Sequence, residues 1–142
     1  MAGLKDAIAL RRAGNHSLVV ASGGRLHTFD GRGVKDLLDL LTSGSELLRG
    51  AAVADKVIGK GAAALMAEGG VSEIYADIIS TPALQLLKQT AIDVSFGKCV
   101  PNIINRTSTG ICPVEALCAP CTTPAQCLPL IIDFVNHISN AK

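Results

Sequence analysis

The chain has 142 residues, 49% of them hydrophobic and 18% charged, with a formal net charge of +1. That length suits one domain with a real core, and that balance excludes an intrinsically disordered chain. One tyrosine, three phenylalanines, no tryptophan and no basic excess argue against a nucleic-acid polymer as partner and leave room only for a small nucleotide.

The first 17 residues carry Lys5 and Asp6 early and lack an uninterrupted apolar stretch. They read as a short amphipathic helix with Leu4, Ala7 and Ile8 inward, not as a signal peptide. No run approaches the roughly 20 apolar residues of a membrane span, so a cytoplasmic location and no membrane partner are expected. Residues 17–22 and 25–30 are strand-like and flank Gly23-Gly24, which supplies the positive φ angles of a tight hairpin. Residues 34–41 have helical spacing, with Leu37, Leu38 and Leu41 on one side.

Residues 51–68 form the longest helical candidate, stopped by Gly69-Gly70. On that helix Lys56 and Lys60 would be i,i+4 neighbours, a like-charge pair that an anion between them would relieve. Gly59 and Gly61 would each cost about 1 kcal/mol in a helix interior, a sign of close approach by another element. Residues 71–79 read as a buried strand and Thr81-Pro82 as a helix start, with Thr81 capping. The helix continues to about residue 90, and residues 92–96 form another strand, giving a parallel pair with a crossover. Residues 100–104 are a further strand candidate, confined to an edge by Pro101. A short helix near Pro113 and a last helix to about residue 139 complete one domain, residues 1–142, without repeats or linkers.

Two segments could carry chemistry. The run Asn105-Arg106-Thr107-Ser108-Thr109-Gly110 is dense in hydrogen-bonding groups, and the Arg106 fork suits carboxylate or phosphate. It leads into Cys112-Pro113-Val114-Glu115, a helix start at which an unmetallated Cys112 is a candidate nucleophile, with Glu115 or Asp55 handling protons. Beyond it, Cys112, Cys118, Cys121 and Cys127 are spaced C-x5-C-x2-C-x5-C. In a reducing compartment such clustering points to a zinc ion or an iron–sulfur cluster held by the four thiolates, structural or redox-active. Four unligated thiols, or two disulfides in any of three pairings, are the other readings. Thr123-x-x-Gln126 forms a capping box for the last helix, which Pro129 would kink or delay. Cys99 lies outside the spacing and reads as a buried small hydrophobe. His16, His27 and His137 have no metal or triad spacing.

The stretch Ala54-Asp55-Lys56-Val57-Ile58-Gly59-Lys60, the run from Glu73 to Leu84, and Val100 to Arg106 continuing through Cys112-Pro113-Val114-Glu115 together resemble an uncharacterised prokaryotic family, a domain of unknown function with a cytidine-deaminase-like fold. The resemblance covers roughly residues 4–117. It implies a three-layer α/β/α architecture with a mixed sheet, hairpin first. The zinc site of deaminases is missing: there is no His-x-Glu or Cys-x-Glu in the first helix, and Ala83 and Leu86 stand where the two thiolates of the second would be. What remains is the crevice outside the strand ends, where ligands gather in α/β sheets. Ser80, Thr81, Asn105, Arg106 and Thr107 are expected there, faced by Asp55, Lys56 and Lys60. The expected function is binding of a small anionic molecule, such as a nucleotide, beside a four-cysteine centre. A cysteine-dependent or redox enzyme and a structural domain closed by zinc are the alternatives.

Overall fold

The computed structural model describes residues 3–30, 34–44, 46–104 and 110–140. After α1 (Leu4–Gly14), strands β1 (Leu18–Ser22) and β2 (Arg25–Phe29) form the expected hairpin. Gly23 and Gly24 turn it at φ 59° and 78°. Helix α2 (Lys35–Thr42) is followed by β3 (Ala52–Ile58), α3 (Lys60–Gly69), β4 (Glu73–Ser80), α4 (Thr81–Leu87), β5 (Asp93–Val100), α5 (Pro113–Cys118) and α6 (Pro124–Asn140). The sheet has the order β2-β1-β3-β4-β5; β1 is antiparallel to both neighbours, and β3, β4 and β5 run parallel.

The single helix expected over residues 51–68 is a strand followed by a helix. Alanine favours helices, but residues 52–54 lie in the central strand, where both faces are covered and small side chains let helices approach. Val53 faces the larger core with Leu37, Leu65 and Ile131, while Ala52 and Ala54 face the smaller one with Ala7 of α1. The sheet therefore has α1 on one face and α2, α3, α4 and α6 on the other. Every residue from Lys60 to Met66 is buried, as befits a helix enclosed on all sides. Its close approach is to α5: a Cβ on Gly61 would lie 2.3 Å from Val114 Cγ1.

Residues 100–104 do not add a strand. β5 runs to Val100, Pro101 ends it, and beyond it Ile104 makes a single antiparallel bridge to Ile111. The cap of α4 is Ser80 and not Thr81, because the Ser80 Oγ accepts the Ala83 N–H at 3.2 Å. The Thr123–Gln126 box forms as expected: Thr123 Oγ1 accepts the Gln126 N–H, and Gln126 Oε1 accepts the N–H of Thr123, both at 3.4 Å. Helix α6 runs through Pro129.

The parallel ladders are interrupted on one line. β3–β4 pairing omits Lys56 opposite Asp77, and β4–β5 pairing omits Asp77 opposite Gly97, with the same offset resuming beyond. Side chains alternate faces along a strand, yet Val53 and Ile58, five apart, share one core, as do Ala76 and Ile79. Facing thus changes phase at that line. Gly97 fits it, since a Cβ there would come within 2.9 Å of the Asp77 carbonyl oxygen.

Candidate functional site

The first turns of α3 and α4 start side by side at the carboxyl ends of β3 and β4. Helix starts leave backbone N–H groups unpaired and favour negative charge. Glu115, in the first turn of α5, supplies it from within the chain. Its Oε1 accepts the Lys60 N–H at 2.9 Å and the Ser80 hydroxyl at 2.6 Å, and its Oε2 accepts the Ile103 N–H. Glu115 is 3% exposed and Ser80 is fully buried. The Lys60 side chain runs the other way, its Nζ donating to the carbonyls of Ala119 at 3.1 Å and Cys121 at 2.5 Å.

Three expectations change here. Lys56 and Lys60 do not form a helical pair, because Lys56 is exposed on β3 and Lys60 is buried at the start of α3. Ser80 joins a cap to a clasp and does not face a ligand in the crevice. Glu115 accepts three hydrogen bonds at the edge of the cavity, so its carboxylate is engaged by the fold's own donors where the sequence suggested a group open to protons. Thr81 is exposed; its hydroxyl donates to the Val100 carbonyl at 3.3 Å and lies 3.6 Å from Cys99 Sγ. Cys99 is exposed as well, not the buried hydrophobe its surroundings suggested. Asn105, Arg106 and Thr107 lie outside the described residues.

Beside the clasp opens a cavity of about 1070 Å³. Leu18, Leu37, Val57 and Ile103 line it with apolar surface, and Asp55, Lys56 and Cys112 bring polar groups to it. Burial pushes the Asp55 carboxyl up to about 7, against the downward pull of the Val57 and Lys56 N–H groups and of Arg11; Asp77 adds to the rise. Desolvation thus dominates, and the group sits between its two protonation states near neutral pH. Cys112, half-buried, occupies the cap position of α5, where its N–H donates to the Ile103 carbonyl at 2.8 Å. Asp30 also borders the cavity and pairs with His16 Nδ1 at 2.8 Å. Neither Asp30 nor Ile103 was singled out by the sequence; both come from segments distant from β3, and no local pattern marks them.

The four cysteines do not fit one metal centre. Residues 113–118 form a helix, so Cys112 and Cys118 are separated by about 9 Å of helix axis at 1.5 Å per residue and point to different sides. Cys112 lies on the cavity, whereas Cys118, Cys121 and Cys127 belong to the larger core. Burial, and the proximity of these three thiols to one another, raises the Cys118 and Cys127 thiols. Among the described residues, no group of three or more His, Cys, Asp or Glu side chains is arranged to hold a metal ion. None of the described helices is long and apolar enough to cross a membrane.

Residues 7–135 match the model of a family described as a domain of unknown function, DUF1893. A crystal structure of a DUF1893 family protein from Thermotoga maritima is similar, with a TM-score of 0.83 at 25% identity over 92% of this chain and 88% of that one. No curated protein matches significantly. The chain belongs to the DUF1893 family.

Proposed function

We propose that this DUF1893 family member is a small-molecule-binding domain without a catalytic zinc site, and that its ligand occupies the cavity beside Asp55 and Lys56. The observation that carries this reading is that a desolvated carboxyl and an exposed ammonium border one cavity, whose other walls mix apolar residues with polar ones such as Asn15 and Asp30. Its volume, about 1070 Å³, lies just above the roughly 300–1,000 Å³ usual for small-molecule sites. Lys56 suits an anionic group, and Asp55 suits a hydrogen-bond donor such as an amine or the amino edge of a base. A nucleotide presents both. Burial of Ala83 and Leu86 in the core at 0% and 2% exposure supports the absence of deaminase chemistry, since these positions have no ligand atoms to offer. Thermal unfolding across a panel of nucleotides and phosphorylated metabolites tests the proposal. A ligand at 100 times its Kd adds about 2.7 kcal/mol, and Lys56→Glu should abolish the shift. No shift across the whole panel would sink the reading.

A further inference from the structure

A second, smaller pocket lies on the far side of Lys60 from the Glu115 clasp. Its volume is about 190 Å³, and its walls include Lys60, Gln85, Gln89, Cys121 and Thr122. That is below the roughly 300 Å³ at which small-molecule sites begin, and it amounts to several water molecules at about 30 Å³ each. An ion of a few atoms fits; a nucleotide does not.

Lys60 is the unusual wall. It is 8% exposed, and among the described residues it makes no ion pair. Its ammonium has three donors, and two of them are taken by the Ala119 and Cys121 carbonyls. Carbonyl dipoles satisfy hydrogen bonds without neutralising the charge, and a buried charge without an opposite one is costly. Glu115 does not serve, because it takes the backbone N–H of Lys60 and not the side chain. Gln85, exposed on α4, has an amide without a hydrogen-bond partner among the described residues. Gln89 Nε2 donates to the Thr122 carbonyl at 2.9 Å, which ties the cysteine segment to the end of α4 beside the pocket.

We propose that this pocket binds a small tetrahedral oxyanion, phosphate or sulfate, on the remaining Lys60 donor and the Gln85 amide. The site is distinct from the cavity at Asp55 and does not depend on what binds there. Bound there, the ion would supply the negative charge that Lys60 lacks and would join α4 to the segment that follows α5.

Calorimetric titration of the whole chain with inorganic phosphate, then sulfate, in a chloride buffer of matched ionic strength tests this. One ion per chain is expected for both, and no binding at millimolar concentration overturns the proposal. Lys60→Met should abolish binding. Because that variant also loses two buried hydrogen bonds, Gln85→Glu provides the second arm: it sets a carboxylate at the pocket and should weaken phosphate binding at least tenfold while circular dichroism stays unchanged. Unaltered affinity in Gln85→Glu counts against the site. If Lys56→Glu abolishes phosphate binding instead, the ion sits in the larger cavity and the proposal falls. Glycerol 3-phosphate separates two sources of the same chemistry: tighter binding than phosphate identifies the phosphoryl end of a larger molecule, and weaker binding a free ion. Either result supports the oxyanion site.

Discussion

Two carboxyl groups border the same cavity and live in opposite circumstances. Glu115 is almost wholly buried, yet three donors from three segments converge on it. Asp55 has backbone N–H partners from its own strand, and desolvation still outweighs them. The first has been given a complete set of partners and holds the fold together. The second is held at a net cost, a circumstance that marks functional groups more often than structural ones. The contrast also explains why helix starts that would attract an external anion are closed to one: the chain has placed its own anion there.

The largest effect that would break this contrast is at Glu115. Truncation to alanine leaves the Lys60 N–H, the Ser80 hydroxyl and the Ile103 N–H without their acceptor, and loss of one partner from a buried charged network costs about 3–5 kcal/mol. Urea unfolding at neutral pH should register that loss; a change under 1 kcal/mol would mean the clasp contributes little. At Asp55 the sign reverses. Its carboxyl is raised from 3.8 to about 7 on folding, so well below pH 3.8 both states are protonated and nothing is lost. Between pH 4 and 7 the unfolded chain releases its proton first, and stability falls as pH rises. Above pH 7 the full penalty applies, up to about 4 kcal/mol at about 1.4 kcal/mol per pKa unit. Asp55→Asn should therefore stabilise the protein at pH 8 and leave it nearly unchanged at pH 3.5. An equal effect at both pH values would remove the distinction between the two groups. The smallest expected effect is that of a chelator: dialysis against EDTA should leave the melting temperature unaltered. A stoichiometric zinc whose removal lowers it would show that the segment around Cys121, which Lys60 holds through its carbonyl, depends on metal.

Much of the architecture was legible because local chemistry agreed with global position. Gly23-Gly24 can turn a hairpin wherever it stands, and Thr123-x-x-Gln126 caps a helix with groups only three residues apart. The alanine-rich stretch misled because its local preference and its place in the sheet disagree: Ala52 and Ala54 are small to admit α1, not to form a helix. The sequence left open whether the segment from Asp55 to Lys60 and the one leading to Glu115 meet; they do, where the Lys60 N–H donates to Glu115 Oε1. Nothing near Glu115 announces that Lys60, Ser80 and Ile103, up to 55 residues away, will meet on its oxygens. Likewise, the cysteine spacing suggested four convergent thiolates until the helix over residues 113–118 turned Cys112 away from the rest.

The line of interrupted pairing through Lys56, Asp77 and Gly97 has an evolutionary consequence. Deleting one residue from β4 near that line would restore regular alternation in β4 alone and shift its register against β3 and β5, so that Ile79 would take the ladder position opposite Val57 that Ile78 now holds. The three strands can change phase only together. Length changes at this level should therefore be absent from relatives or occur in all three strands at once, and a family alignment with a lone single-residue gap in one strand would contradict that shared constraint.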